Sequence, residues 1–283
     1  MNGRRLKELV GFTILRLATF IILLVLFVII SFIAVRGIKV VNWGFLTEMP
    51  RAGMTAGGIL PAILGTFYLT LCAICFALPL GVGAAIYLTE YAKQGILVRI
   101  IRVGVNNLAG VPSVVFGLFG LAAFVKFLRF GVSILAGGLT LGILILPIII
   151  RASEEALRSV PQSFREASLA LGATKWQTIS KVVIPSCLPG VLTGAILGVG
   201  RAAGETAPIL FTAATFYKMS LPHSILSETQ ALPYHIYALM TEGTHPEVQV
   251  PIAYGTALVL LILVLGIDLV AIILRNRARR RKW

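Results

Sequence analysis

Residues 17–35 read LATFIILLVLFVIISFIAV, an apolar stretch bounded by Arg16 and Arg36. A helix of this length, rising about 1.5 Å per residue, is long enough to cross a hydrocarbon core of about 30 Å. An uncharged run of about 18 residues or more is typical of a transmembrane helix rather than of a soluble core. The stretch therefore predicts that the chain crosses a membrane close to its N-terminus.

The composition of the whole chain agrees with this interpretation. Of its 283 residues, 58% are apolar and 13% are charged, and the mean hydropathy is +0.94. Soluble domains carry about 25% charged and about 45–50% apolar residues. The polar residues here are too few to cover a globule of this size. A soluble enzyme, a disordered protein and a disulfide scaffold are therefore excluded.

The charged residues leave five further gaps of membrane-spanning length. These gaps lie at 52–89, 103–125, 130–150, 182–200 and 248–274, the last interrupted by Asp268. The gap at 182–200 is predicted to continue after Glu205 towards Lys218. The gap at 52–89 is too long for one straight span and barely long enough for two. A seventh span would put the basic cluster at one end of the chain outside, against the tendency of Lys and Arg to stay in the cytoplasm. We therefore predict an interfacial lead-in at 55–64, followed by one span kinked at Pro79.

Six spans place the basic clusters at both ends of the chain in the cytoplasm, where Lys and Arg of membrane proteins accumulate. The same tendency explains the net charge of +14, which in a soluble protein would suggest a nucleic-acid partner. We predict an all-α, polytopic membrane protein with six transmembrane helices and both termini cytoplasmic. Membrane lipid is expected to surround it, and no nucleic acid is expected to bind.

The longest cytoplasmic loop, 151–185, has a helical pattern of its own. Pro161 suits a first helical turn, where its missing N–H leaves no bond unmade. Gly172 can end that helix in a left-handed turn. Thr174 then begins a capping-box pattern for a second short helix, which Pro185 is predicted to end. On physical grounds alone, this helical pair either docks onto a partner or only anchors the loop at the membrane.

Arg201 and Glu205 form the only ionisable pair well inside a predicted span. Their i, i+4 spacing puts both side chains on one helical face. A charge at membrane depth usually faces a bundle interior and serves a pathway. Two interpretations stay open: the pair neutralises itself and locks two helices, or Arg201 binds an anion in transit, since a guanidinium matches oxyanion geometry.

The cytoplasmic loop carries the first resemblance to a known family. Glu166-Ala167-Ser168, followed after three residues by Gly172 and after nine more by a VVIP ending, resembles the EAA loop of ABC importer permeases. Both spacings of that pattern are kept, with a serine for its second alanine and aliphatic exchanges in the ending. In that family the loop is a coupling helix that docks in a groove of the ATP-binding subunit. The resemblance implies that Glu166, Ala167, Ser168 and Gly172 couple this chain to an ATPase.

Two further stretches narrow the resemblance. AGVPSVVFGLFG at 109–120 and GRAAGETAP at 200–208 are similar to the phosphate-importer permeases, and among these to the PstA-type family. The similarity extends over about residues 60–275. The substrate-path residues that it implies are Pro112, Ser113, Arg201, Glu205 and Thr206.

The resemblance also implies a place and a set of partners. The chain is expected to be a multi-pass permease subunit of an ATP-driven phosphate importer in the bacterial cytoplasmic (inner) membrane. The implied partners are a second, PstC-type permease, two PstB-type ATP-binding subunits and a PstS-type extracytoplasmic phosphate-binding protein. No Gly-Lys dipeptide occurs, so the chain lacks the phosphate-binding loop of an ATPase. It is expected to be non-catalytic and to bind no cofactor, with ATP and Mg held by the partner subunits.

Small residues and histidines complete these expectations. Glycines of the third and fifth spans, Gly117 and Gly198 among them, are predicted to approach the second permease closely. His223, His235 and His245 fall in the outer segment between the last two spans, with a spacing that fits no standard zinc site. We predict that they are solvated loop residues, that no metal centre exists, and that the binding protein docks on this segment.

Three regions are predicted along the chain. Residues 1–55 hold an N-terminal cytoplasmic segment, the first helix and an outer loop. Residues 56–275 form the permease domain, with the coupling loop at 151–185. Residues 276–283 form a basic cytoplasmic tail.

Two alternative functions stay open at this point. One is a permease for another oxyanion, sulfate or molybdate. The other is an ion-driven secondary transporter that uses Arg201, Glu205 and Asp268 as a proton relay. Such a transporter should show an inverted repeat, and neither distinctive motif occurs twice.

Overall fold

The computed structural model describes residues 3–93, 95–216, 218 and 220–280. It is a bundle of helices with one pair of short antiparallel strands, β1 (Pro50–Arg51) and β2 (Ala56–Gly57). The helices are α1 (Gly3–Gly37), α2 (Trp43–Thr47), α3 (Leu60–Ile86), α4 (Ile96–Leu108), α5 (Ser113–Gly120), α6 (Ile134–Arg158), α7 (Gln162–Ala170), α8 (Lys175–Thr178), α9 (Ile184–Gly204), α10 (Ala207–Leu210), α11 (Leu232–Thr241) and α12 (Pro246–Arg280). Wider π-helical turns follow α3, α5 and α8, at Tyr87–Tyr91, Leu121–Phe127 and Ile179–Val183.

Five of the described helical segments are long and apolar enough to cross a membrane. They are Val10–Gly37, Leu60–Tyr91, Ile134–Arg158, Lys175–Gly204 and Pro246–Arg277. They confirm the first, second, fourth, fifth and sixth predicted spans. The long gap after Arg51 does contain a single span: α3 begins at Leu60 and passes Pro79 without ending. Of the predicted basic tail, residues 276–280 continue α12, and residues 281–283 lie outside the described range.

The third span is not one helix, so that prediction was wrong in form. Helix α4 and the segment Ser113–Phe127 meet at an angle of 101°, and the chain has six spans only if the pair counts as one broken span. Pro112 lies at the break, where it lacks an N–H and keeps the residue before it out of the helical region. Away from the bend, Arg102 ties α4 to α6, because its Nε contacts the Glu154 Oε1 at 3.3 Å.

The fifth span differs from its prediction at both ends. Its helix does not stop at Pro185, because α8, a π-helical turn and α9 run on as one span from Lys175 to Gly204. Pro185 occupies the first turn of α9 directly after the π-helical turn, a position where a missing N–H is tolerated. At the other end the helix stops at Gly204 and does not continue towards Lys218.

Helices α3, α6 and α9 pack together as the core of the bundle. Leu141, Ile145 and Ile149 on α6 are almost fully buried at its centre. By contrast, α1 packs on α12, and the apolar window of its span has no buried residue. Such a helix is suited to lipid or to another subunit, because its exposed face is apolar throughout.

Two glycines predicted to face a second permease are instead used within the chain. A Cβ at Gly198 would lie 3.5 Å from the Ile149 side chain on α6. A Cβ at Gly117 would lie 2.9 Å from the Ala207 carbonyl oxygen and 3.0 Å from Pro208 Cα. The prediction was therefore wrong for these positions: both are buried within the chain, and at Gly117 the close packing leaves no room for a Cβ.

Candidate functional site

The helix of the fifth span ends within the stretch GRAAGETAP at 200–208, three residues after Arg201. Helix α9 ends at Gly204, and Glu205 has an extended backbone with φ −76° and ψ 133°. A short helix, α10, resumes at Ala207 with Pro208 in its first turn. Arg201 therefore lies in the last turn of a spanning helix, where backbone carbonyl oxygens no longer find partners within the helix.

Arg201 and Glu205 contact each other across this break. The Arg201 Nε donates to the Glu205 Oε1 at 3.2 Å, with the arginine side chain 36% exposed and the glutamate 17% exposed. Their i, i+4 spacing predicted that both lie on one helical face, which was wrong, since Glu205 lies beyond the end of the helix. Within the described residues, no other group accepts a hydrogen bond from this guanidinium, so its remaining N–H donors stay available to a ligand.

Two polar groups lie beside the pair: Thr70, which was not identified from the sequence, and Asp268, which was named there only for the alternative proton relay. Thr70 on α3 lines one small cavity together with Glu205, and its hydroxyl is buried with no hydrogen-bond partner among the described residues. Asp268 on α12 lies against Gly200, where an added Cβ would be 3.5 Å from both carboxylate oxygens. A second carboxylate therefore lies next to the residue that precedes Arg201.

The other predicted path residues lie on segments that pack against this break. Pro112 and Ser113 stand at the bend where α5 begins. One turn further, Gly117 packs on Ala207 and Pro208, so the two motif segments are in direct contact. Thr206 precedes α10 and makes no side-chain cap. The structure thus brings together the two stretches at 109–120 and 200–208 that resemble the phosphate permeases. Arg201 and Glu205 contact each other directly, and the other predicted path residues lie on these same two stretches.

The predicted coupling segment forms helix α7. Pro161 precedes its first residue, as predicted, and Gly172 after its end has φ +81°, a left-handed conformation that favours glycine. Thr174 and Gln177 form the predicted capping box at the start of α8. The Ser168 hydroxyl bonds that of Thr178 at 2.9 Å, which joins the two helices.

The surface of this helical pair is open to the outside of the molecule. Glu166 and Ala167 are exposed. Large apolar side chains are exposed beside them. These are Phe164, Leu169, Leu171 and Trp176, with Leu171 90% exposed. Exposed apolar groups in a cluster are typical of a protein–protein contact surface.

The outer segment between the last two spans is folded rather than solvated. Its backbone bonds the start of α6, where Ser133 N donates to Thr212 O and Ile134 N donates to Ser227 O. His235 on α11 is 2% exposed, so its prediction as a solvated residue was wrong. Burial lowers the pKa of His235 from 6.5 to about 4, because the charged imidazolium loses its hydration.

His235 predicts a specific dependence of stability on pH. Its folded pKa lies below its unfolded value, so between about pH 6.5 and pH 4 the unfolded state binds more protons. The free energy of unfolding therefore falls as the pH is lowered through this window, by about 2 kcal/mol between pH 7 and pH 5. We expect the thermal midpoint of the purified wild type to fall by several degrees more than that of His235→Phe. An equal fall in both proteins would contradict the assignment.

A polytopic helical bundle with a broken span, a polar pair at its break and an exposed cytoplasmic helix defines a membrane permease. The chain belongs to the family described as "Binding-protein-dependent transport system inner membrane component", whose model matches residues 77–282. It is thus an ABC importer permease, a membrane component that works with a second permease, ATPase subunits and a binding protein. This membership excludes the ion-driven secondary transporter.

Named relatives extend over nearly the whole chain. The phosphate transport system permease protein PstA of Mycobacterium leprae (strain TN) is 39% identical over 285 residues, covering 98% of this chain and 91% of that protein. The probable ABC transporter permease protein YqgI of Bacillus subtilis (strain 168) is 34% identical over 280 residues, covering 95% of each.

Solved structures share the fold. The MetNI methionine ABC transporter in an inward-facing conformation matches with a TM-score of 0.62 and 20% identity, over 78% of this chain and 95% of that chain. A bacterial ABC transporter that imports the acidic polysaccharide alginate matches with a TM-score of 0.58 and 15% identity, over 96% and 99%. The prediction of an all-α ABC importer permease fold is therefore confirmed.

Proposed function

We propose that this chain is the permease subunit of an ATP-driven importer of inorganic phosphate in the bacterial cytoplasmic membrane. The observation that carries the proposal is Arg201, a guanidinium at the end of a spanning helix that contacts Glu205 through Nε alone among the described residues. Planar N–H donors suit the oxygens of phosphate. The 39% identity to a protein named as a PstA phosphate permease supports the same substrate.

The proposed partners follow from the same relatives. They are a PstC-type permease, two PstB-type ATP-binding subunits, which hold ATP and Mg, and a PstS-type phosphate-binding protein on the outer face. Glu166, Ala167, Ser168 and Gly172 belong to the proposed contact with the ATPase, and the exposed Leu171 and Trp176 add apolar area to it. Pro112, Ser113, Arg201, Glu205 and Thr206 belong to the proposed anion path.

Reconstitution tests the substrate. The chain is assembled with its second permease and ATP-binding subunits in liposomes, with the binding protein outside and ATP at the ATPase face. We expect ATP-dependent uptake of labelled phosphate that a hundredfold excess of sulfate or molybdate does not reduce. Uptake of sulfate or molybdate in place of phosphate would instead support the second candidate, another oxyanion, and contradict this proposal.

Glu205 supplies a basis for selectivity within this function. Phosphate at pH 7 still carries a proton that a carboxylate can accept as a hydrogen bond, whereas sulfate carries none and is repelled. We therefore expect excess sulfate to inhibit phosphate uptake severalfold in Glu205→Gln, while the wild type stays insensitive. The matched control is Glu242→Gln, an exposed acid of the outer segment, which should behave as the wild type. Sulfate insensitivity in both variants would contradict this role.

A further inference from the structure

One side chain of α7 points into the protein instead of towards its surface. Arg165 precedes the exposed Glu166, yet its side chain is only 14% exposed and pairs with Glu90, which is 9% exposed. Its Nη2 donates to Glu90 Oε1 at 2.7 Å, and its Nε donates to the same oxygen at 3.2 Å. Such a double contact between a guanidinium and a carboxylate fixes orientation as well as distance.

The same guanidinium also bonds the last turn of α6 and the linker that follows it. Arg165 Nη1 donates to Val160 O at 2.7 Å, and Nη2 donates to Leu157 O at 2.9 Å. Glu90 belongs to the π-helical turn that ends the second span. We call this set of bonds the Arg165 bridge. It joins three elements at the cytoplasmic end: α7, the end of the α3 span and the end of α6.

The Arg165 bridge is a main attachment of α7 to the bundle. No residue of α7 is buried, and every residue of this helix is described. Its other side-chain bond to a neighbouring element, from Ser168 to Thr178, leads to α8 rather than to the core helices. Besides the short linker at 159–161 that joins α6 to α7, Arg165 is the side chain through which a displacement of α7 reaches both the α3 span and α6.

Helices α3 and α6 continue from the bridge to the Arg201 region. Thr70 on α3 and Leu141 on α6 line the same small cavity as Glu205. Thr70 lies 20 residues before Glu90, a helical length of about 30 Å. Packed helices move as rigid units, so a shift of their cytoplasmic ends is carried to that cavity.

We propose that Arg165 and Glu90 are positioning residues that transmit the movement of α7 to the helices around the anion path. This inference rests on the proposed role of α7 as the contact with the ATPase. It gives the pair a function beyond holding the loop in place. Loss of the pair should separate ATP hydrolysis from transport, and it should not simply lower both.

The test measures the solute imported per ATP hydrolysed, with the assembled complex in liposomes. In Glu90→Gln we expect this ratio to fall at least tenfold while the ATP-binding subunits still co-purify in wild-type amounts. Arg165→Lys keeps the ion pair but loses the paired bonds to the carbonyl oxygens of Leu157 and Val160, and its ratio should be intermediate. The matched control is Arg158→Gln, an exposed arginine that lines one cleft together with Glu90 and Arg165, and its ratio should not change.

Two results would overturn the proposal. Both leave the ratio in Glu90→Gln unchanged: in one, uptake and hydrolysis stay at wild-type rates, and in the other, both fall in equal proportion, as a purely structural role predicts. If the Glu90→Gln complex does not assemble, an unchanged ratio in assembled Arg165→Lys decides against it. The ratio is measured with whichever solute the wild type carries, so a wild type that does not carry phosphate contradicts the proposed substrate and not the Arg165 bridge.

Discussion

Exchanging Arg201 and Glu205, as Arg201→Glu with Glu205→Arg, is expected to reduce phosphate uptake more than tenfold in a protein that is still made and assembled. The exchange preserves an ion pair but moves the guanidinium beyond Gly204, where the backbone is extended and no longer helical. Hydrogen bonds to charged groups contribute about 1.5–3 kcal/mol, and 1.4 kcal/mol corresponds to a factor of ten. Uptake of labelled phosphate is the measurement.

The control for this exchange is another Arg–Glu ion pair, one that is exposed and lies away from the predicted anion path. Arg51 and Glu48 are exposed and lie 3.7 Å apart on the outer side, so exchanging them should leave uptake unchanged. Arg201→Lys is a further probe, because it keeps the charge but loses the planar donors. Normal uptake in a well-expressed Arg201–Glu205 exchange would leave only a structural ion pair, and the anion path would have to lie elsewhere.

Gly172→Val is expected to abolish coupled uptake, the second large effect. The φ of +81° at Gly172 is disfavoured for a side chain that branches at Cβ. A non-glycine residue in this region costs about 1–2 kcal/mol, which the exposed end of α7 has few contacts to offset. We expect the ATP-binding subunits to dissociate or to hydrolyse ATP without uptake, as co-purification and proteoliposome assays will measure.

Two variants separate the turn from a general effect of valine. Gly172→Asn should retain most of the uptake, since asparagine adopts positive φ more readily. Gly104→Val lies on α4, where no atom is within 4 Å of an added Cβ, and it should behave as the wild type. Coupled transport in Gly172→Val equal to that in Gly104→Val would show that the left-handed turn is not needed.

The spans were predictable because hydropathy alone decides which segments enter a membrane. The stretch at 17–35 and the single span between Arg51 and Glu90 both follow from length and charge. The capping box at Thr174 and the left-handed turn at Gly172 were also predictable, since each depends on a few neighbouring residues. These features are local, and their physical causes are visible in the sequence.

The breaks in the helices were harder to predict. Pro112 bends the third span by 101°, whereas Pro185 and Pro79 lie in continuous helices. The difference lies in the surroundings: a π-helical turn precedes Pro185, and nothing in the sequence around it marks that turn. The end of α9 at Gly204 also depends on contacts that are distant in sequence. Pro208, just after this end, packs against Gly117 of α5.

The site was predictable in part. Arg201 and Glu205 stand out as charges within a span, and their contact is observed. Thr70 was missed because threonine is common in spanning helices, although its i+4 spacing from Thr66 is a signal that the sequence does contain. The burial of Arg165 was not predicted, because a basic side chain beside Glu166 in a cytoplasmic loop suggests an exposed helical face. Its partner, Glu90, lies 75 residues away in sequence.

Locating the anion itself tests directly whether Arg201 binds the oxyanion in transit. Arsenate has the shape and charge of phosphate, and its heavy atom gives an anomalous diffraction signal. The crystal would hold the assembled complex, arrested with ATP bound and soaked with arsenate. We predict an anomalous peak beside Arg201 that marks the arsenic atom of an arsenate whose oxygens lie about 2.7–3.1 Å from the Arg201 nitrogens. An arsenate elsewhere in the path, with Arg201 still bonded to Glu205 alone, would contradict the claim.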